Sequence, residues 1–227
     1  MSISLNFKII GQGKPLVLLH GNNEDMNVFS GQVESFSKAF MLILVDTRGH
    51  GKSPRGDLPM TFQTFSDDLQ RLLDKLGIEK PSILGFSDGG NTALTYAINH
   101  PRNVDRLVIN GANLSPCGCK LSYQVPIYAE WLLMAILSLF SEQAKRRKEI
   151  LSLMAFQPHI KASDLKKIRS RTLVIAGDCD MIKDKETRRI AQSIPESRLL
   201  ILEGDHFLLK KRSLEYNNAV LDFLEQA

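Results

Sequence analysis

The chain has 227 residues, of which 43% are hydrophobic and 24% charged, with a net charge of +4. That is an ordinary soluble composition, long enough for one large α/β domain with a modest insertion. The start has no basic stretch followed by an apolar run, and three cysteines (Cys117, Cys119, Cys179) build no disulfide framework, so a reducing, cytoplasmic setting without a signal peptide is expected.

Short apolar runs alternate with helical patterns along the chain. Residues 3–10, 16–19 and 41–45 read as the first strands, with a helix over 29–38 between the second and third. A helix over 61–76 follows; Phe65, Leu69, Leu72, Leu73 and Leu76 recur at spacings of three and four, which predicts one buried face. Next come a strand over 82–84, a helix from Asn91 to Asn99, and a strand over 104–109. The chain closes with strands 172–176 and 198–202 and helices 185–193 and 214–225. Several strands are continuous apolar runs, as in a parallel sheet buried on both faces. The alternation predicts a doubly wound, mostly parallel α/β sheet of about seven strands.

Residues 112–171 break this rhythm. They read as helices over 125–140, 142–155 and 163–168, and so as a helical cap inserted into a core formed by 1–111 and 172–227. The first of these helices is apolar nearly all round, too short to span a bilayer, and contains Glu130. It is expected to pack over the core, with Trp131 and Met134 lining an apolar pocket. Ten Lys/Arg against four Asp/Glu give the insertion a charge of +6, which leaves −2 for the rest. Lys145-Arg146-Arg147-Lys148 is its densest part. A solvated helix face explains such a run; attraction of an acidic substrate or an anionic surface is the functional reading. Aromatic residues do not interleave with these charges, which argues against nucleic acid.

The segment Ser82-Ile83-Leu84-Gly85-Phe86-Ser87-Asp88-Gly89-Gly90 carries the chemistry. An apolar strand ends in Gly-x-Ser-x-Gly and runs into a helix. The glycines let a sharp strand-to-helix turn hold a serine hydroxyl clear of the sheet. A serine needs a base, and the base needs an orienting acid. Among five histidines, His20 and His50 occupy turns, His100 ends a helix and His159 sits in the cap. His206 follows the last strand, so it can share with Ser87 the edge where strand C-termini gather. Asp178 and Asp180 both follow strand 172–176. Asp180 lies farther round the loop and is the expected partner of His206, while Asp178, beside Gly177, suits a local turn. Backbone N–H groups of Asp88 and of the 20–23 loop are the expected oxyanion donors, with Asn22 first and Asn23 second; Asn23 is also expected at the pocket. Cys117-Gly-Cys119 has no partners at zinc-binding spacing, so no metal is expected.

These pieces, His20-Gly21, Asp46–Ser53, Gly85–Gly89, Gly177–Asp180 and Gly204–His206, resemble the serine α/β-hydrolase family in identity and order. The resemblance implies cleavage of a small carboxylic ester or thioester through an acyl-enzyme, with Ser87, Asp180 and His206 as the triad and no cofactor. It leaves a carbon–carbon bond hydrolase, or a ligand-binding protein on a hydrolase scaffold, as alternatives. A small-molecule substrate, no nucleic acid, no stable membrane insertion and a monomer or homodimer are expected. Relatives that dehalogenate or open epoxides use an aspartate nucleophile; with serine at position 87 those reactions are not expected.

Overall fold

A computed structural model describes residues 3–226. Seven strands, β1 (Phe7–Ile10), β2 (Lys14–Leu19), β3 (Phe40–Val45), β4 (Ser82–Phe86), β5 (Arg106–Asn110), β6 (Arg171–Gly177) and β7 (Ser197–Leu202), form one sheet in the order β1-β3-β2-β4-β5-β6-β7. Only β1 runs antiparallel, pairing Phe7 with Val45 and Ile10 with Leu42 at the edge. The remaining pairs are parallel. The helices are α1 (Ser30–Phe36), α2 (Phe62–Leu76), α3 (Asp88–Asn99), α4 (Leu121–Leu137), α5 (Glu142–Phe156), α6 (Asp184–Ser193), α7 (Leu208–Lys211) and α8 (Ser213–Glu225).

Alternation within the strands divides the core in two. Val17, Leu19, Ile43, Ile83, Leu107 and Val174 point toward α2, α3 and α6, where Leu69, Leu94 and Ile190 meet them. Leu16, Leu18, Leu42, Leu84, Val108 and Leu173 point the other way, toward Phe36 of α1 and Tyr216, Val220 and Phe223 of α8. Both faces are covered, so the strands read as unbroken apolar runs. Helix α2 is capped as its sequence demands. The Thr61 side chain accepts from the Thr64 N–H, and Gly77 at φ +63° closes the far end.

The expected first strand, 3–10, shortens to four residues. Asn6 keeps its carbonyl on the Asp46 N–H at 2.9 Å, but its N–H donates to Ser53 Oγ and its side chain to Asp46 Oδ2. The 46–53 turn is thus a structural knot. Asp46 also accepts from the Met26 and Lys52 N–H groups, and buried Arg48 makes a two-pronged ion pair with Asp68 of α2 at 2.7 and 2.8 Å.

Between β5 and β6 the chain forms α4 and α5, which pack on each other, and a short 3-10 turn at Asp164–Lys167. Ser141 caps α5 by accepting from the Ala144 N–H. Arg55 from the core and Glu149 of α5 form a two-pronged pair at 2.9 Å. No helix among the described residues is long and apolar enough to cross a membrane.

Candidate active site

β4 ends at Phe86 and α3 starts at Asp88, leaving Ser87 alone in the corner at φ +54°, ψ −118°. The helix thus begins three residues before Asn91. A non-glycine residue at positive φ is strained and must be held by its surroundings. Here the Ser87 N–H donates to the Asn110 carbonyl at 2.8 Å and the Ser87 carbonyl accepts from the Asn91 N–H at 3.1 Å. The turn is too tight for side chains beside it: a Cβ on Gly89 would sit 2.0 Å from the Leu19 carbonyl oxygen.

His206, on the loop after β7, reaches Ser87 from a later strand end. Its Nε2 lies 3.0 Å from Ser87 Oγ, and its Nδ1 lies 2.7 Å from Asp180 Oδ1. A carboxylate only accepts, so Nδ1 carries the hydrogen and Nε2 is left to accept from the serine hydroxyl. Asp180 is buried and also accepts from the Ile182 N–H at 2.9 Å, which fixes the orientation of its carboxylate. Asp178 is exposed and binds the Gly204 N–H at 2.9 Å, as a turn residue would; that bond holds its carboxyl below the usual range.

Sequence reasoning missed one residue that makes room for this line. Gly111, just after β5 at φ +65°, lies under the imidazole; a Cβ there would be 2.7 Å from His206 Cε1. This glycine follows a buried strand at the same sheet edge as Ser87, and that position was the available signal.

The loop after β2 closes the other side. His20 is buried with its Nδ1–H donating to the Gly21 carbonyl at 2.8 Å and its Nε2 accepting from the Thr47 N–H at 3.0 Å. Burial, with neighbouring His50, pushes its pKa down to about 4, so the ring is neutral and acts as a strut between two loops. Asn22 Nδ2 donates to Asp88 Oδ2 at 2.8 Å and to the Ile150 carbonyl of α5 at 2.9 Å. Burial raises the Asp88 pKa to about 6, against the pull of the Asn22 bond.

A narrow cavity of about 20 Å³ touches Ser87 and is walled by Asn113, Cys119, Gln124, Ile127, Met154 and Met181. That is room for about one water, so α4 and α5 roof the serine closely. The expected pocket residues lie elsewhere. Trp131 donates to Ser152 Oγ at 2.9 Å and stacks edge-on against Phe156, inside the α4–α5 pair. Half-buried Met134 does not line the cavity either. Asn23 lines a wider open cleft of about 450 Å³ with Glu24, His50, Ile150 and Lys210, which does not include Ser87. Helix α4 presents Gln124 and Ile127, one to two turns before Trp131, to the serine.

A doubly wound sheet with a serine corner, facing an Asp-His pair on later strand ends, defines a class. Residues 14–146 match the sequence model of the alpha/beta hydrolase fold family, and the chain belongs to that family. Among individual proteins it is similar to RutD of Caulobacter sp. (strain K31), named as a candidate carbamate hydrolase, with 29% identity over 92% of this chain and 90% of that one. Its fold is similar to an enol-lactonase from Burkholderia xenovorans LB400, at a TM-score of 0.83 and 21% identity over 99% of this chain and 97% of that one. It is also similar to a meta-cleavage product hydrolase from Pseudomonas fluorescens IP01, at a TM-score of 0.80 and 23% identity, covering 98% and 94% of the two chains. At these identities the two solved structures speak for the fold.

Proposed function

We propose that this protein is a serine hydrolase that cleaves a small carboxylic ester or thioester through an acyl-enzyme. The observation that carries the reading is the hydrogen-bonded line from Ser87 Oγ through His206 to Asp180, at 3.0 and 2.7 Å. In this reading His206 Nε2 takes the hydroxyl proton as Ser87 Oγ forms a bond to the substrate carbonyl carbon. The tetrahedral oxyanion is held by the backbone N–H groups of Asn22 and Asp88. His206 then gives its proton to the departing alcohol or thiol. Water, deprotonated by the same nitrogen, attacks the acyl-enzyme and releases the acid and Ser87. Asp180 holds the imidazole in place through Nδ1 and stabilises the imidazolium. Residues 112–171 act as a cap whose displacement admits the substrate.

The test is turnover of short p-nitrophenyl esters by the wild type and Ser87→Ala. The substitution is expected to lower kcat by about 10⁴-fold or more. Ester turnover that survives in Ser87→Ala overturns the assignment. The similarity to RutD makes carbamates the second set of substrates to assay beside esters.

A further inference from the structure

Helix α4 has a second face that the site does not use. Its inward side carries Gln124 and Ile127 to the serine cavity. On its outward side Leu121, Val125, Leu132 and Ile136 recur at helical spacing and are 71%, 59%, 58% and 56% exposed. The turn that follows adds Leu139 and Phe140, at 75% and 87%. Contiguous exposed apolar side chains on this scale mark an interaction surface. Packing within the chain does not account for them, because α4 already has its partner in α5.

Charge decides what the partner is. Lys120 stands immediately before α4, and Lys145, Arg146, Arg147 and Lys148 follow its end on the first turns of α5. Arg147 is anchored to Glu130, and Lys148 Nζ lies 3.3 Å from Ser138 Oγ at the α4 terminus, so these cations border the apolar stripe. Between residues 120 and 148, five basic side chains face two acidic ones. Both ends of the stripe are therefore basic. Two copies pairing through α4 would bring cations onto cations whether the helices ran parallel or antiparallel. An anionic lipid surface satisfies both features at once, taking the apolar side chains below the headgroups and the cations among them.

The geometry points to α4 and the 139–148 turn as a surface that docks the protein reversibly on anionic membranes. The helix lies in the interfacial plane, because at 17 residues, with Pro126 and Glu130 inside it, it does not span one. Docking would hold Ser87 about one helix diameter, roughly 10 Å, from the lipid. The inference stands on exposure and charge and is independent of the chemistry assigned to Ser87.

Co-sedimentation of the full chain with phosphatidylcholine vesicles, with and without phosphatidylglycerol, tests it. The protein is expected to pellet with the phosphatidylglycerol vesicles at low salt and to be released by added salt. Leu132→Ser with Ile136→Ser, and separately Lys145→Glu with Arg146→Glu, should each lower binding about tenfold or more while soluble-ester turnover and thermal stability stay at wild-type level. Absence of binding to anionic vesicles at low salt overturns the inference, as does binding that both double variants retain. A dimer that Leu132→Ser with Ile136→Ser dissolves, without any vesicle binding, overturns it in favour of a second copy.

Discussion

Asn22 and Asp88 clasp each other beside Ser87, Nδ2 donating to Oδ2 at 2.8 Å across 66 residues of chain. The bond ties the loop after β2 to the first turn of α3. It also leaves a carboxyl group inside the site whose ionisation costs more in the folded chain than in water, because burial outweighs the help it gets from Asn22.

That cost has a sign. Asp88 titrates at about 6 in the native state against 3.8 as its ordinary value. Between these limits the folded chain binds more protons than the unfolded one, so this group's contribution to stability is present at acid pH and is lost as pH rises toward 6. The gap is worth ~3 kcal/mol. Asp88→Asn, which can still accept from Asn22, should therefore gain on the wild type by about 2–3 kcal/mol between pH 4 and pH 7, measured by urea unfolding at each pH. His20, held near 4, contributes the opposite slope, but equally in both proteins. An advantage that does not vary with pH would rule out burial of the Asp88 charge as the cause.

Two carboxylates follow β6, and only one faces the histidine. Asp180→Asn should lower kcat/KM by about 10⁴-fold, because an amide can no longer hold Nδ1–H toward itself and leave Nε2 as base. Asp178→Asn should cost less than about tenfold, since the exposed side chain only braces the Gly204 N–H. Ester hydrolysis by the purified variants gives the ranking, and the reverse order would reassign the acid.

Arg48 and Asp68 are both almost fully buried, at 0% and 1% of their side-chain surface. Removing Arg48 takes away the two-pronged partner of buried Asp68 and leaves it only the half-exposed guanidinium of Arg71, so Arg48→Met should lose about 3 kcal/mol in chemical denaturation. Adding Asp68→Leu should restore most of it, because the penalty is a buried carboxylate left with one partner, and half-exposed Arg71 can turn to solvent. A double variant as unstable as the single one would mean that the guanidinium matters chiefly through its bond to the Arg55 carbonyl at 2.9 Å.

The sheet is legible in the sequence because its central strands are buried on both faces, and an unbroken apolar run as short as Leu16–Leu19 suits a strand of that kind. The serine corner is legible because only glycines fit beside it. Helix α4 is less so. The expected helix over 125–140 instead starts at Leu121, runs through Pro126 and ends at Leu137. Its apolar residues lie on every side, so periodicity cannot say which side turns inward. Trp131 and Met134 were accordingly expected at the pocket in place of Gln124 and Ile127. Cys119, Met154 and Met181 reach the cavity from three separate segments whose meeting depends on how the insertion folds back.

The bare α-carbon of Gly111 bears on how relatives of this chain should be sorted. A descendant that gained one methyl there could keep the serine, the aspartate and the histidine, and would still have to push aside the imidazole, whose Cε1 would lie 2.7 Å from it, and hold a side chain at φ +65°. A motif search would count such a protein among the working members. A glycine at this place is therefore worth reading beside the serine, the aspartate and the histidine, although it contributes no polar group of its own.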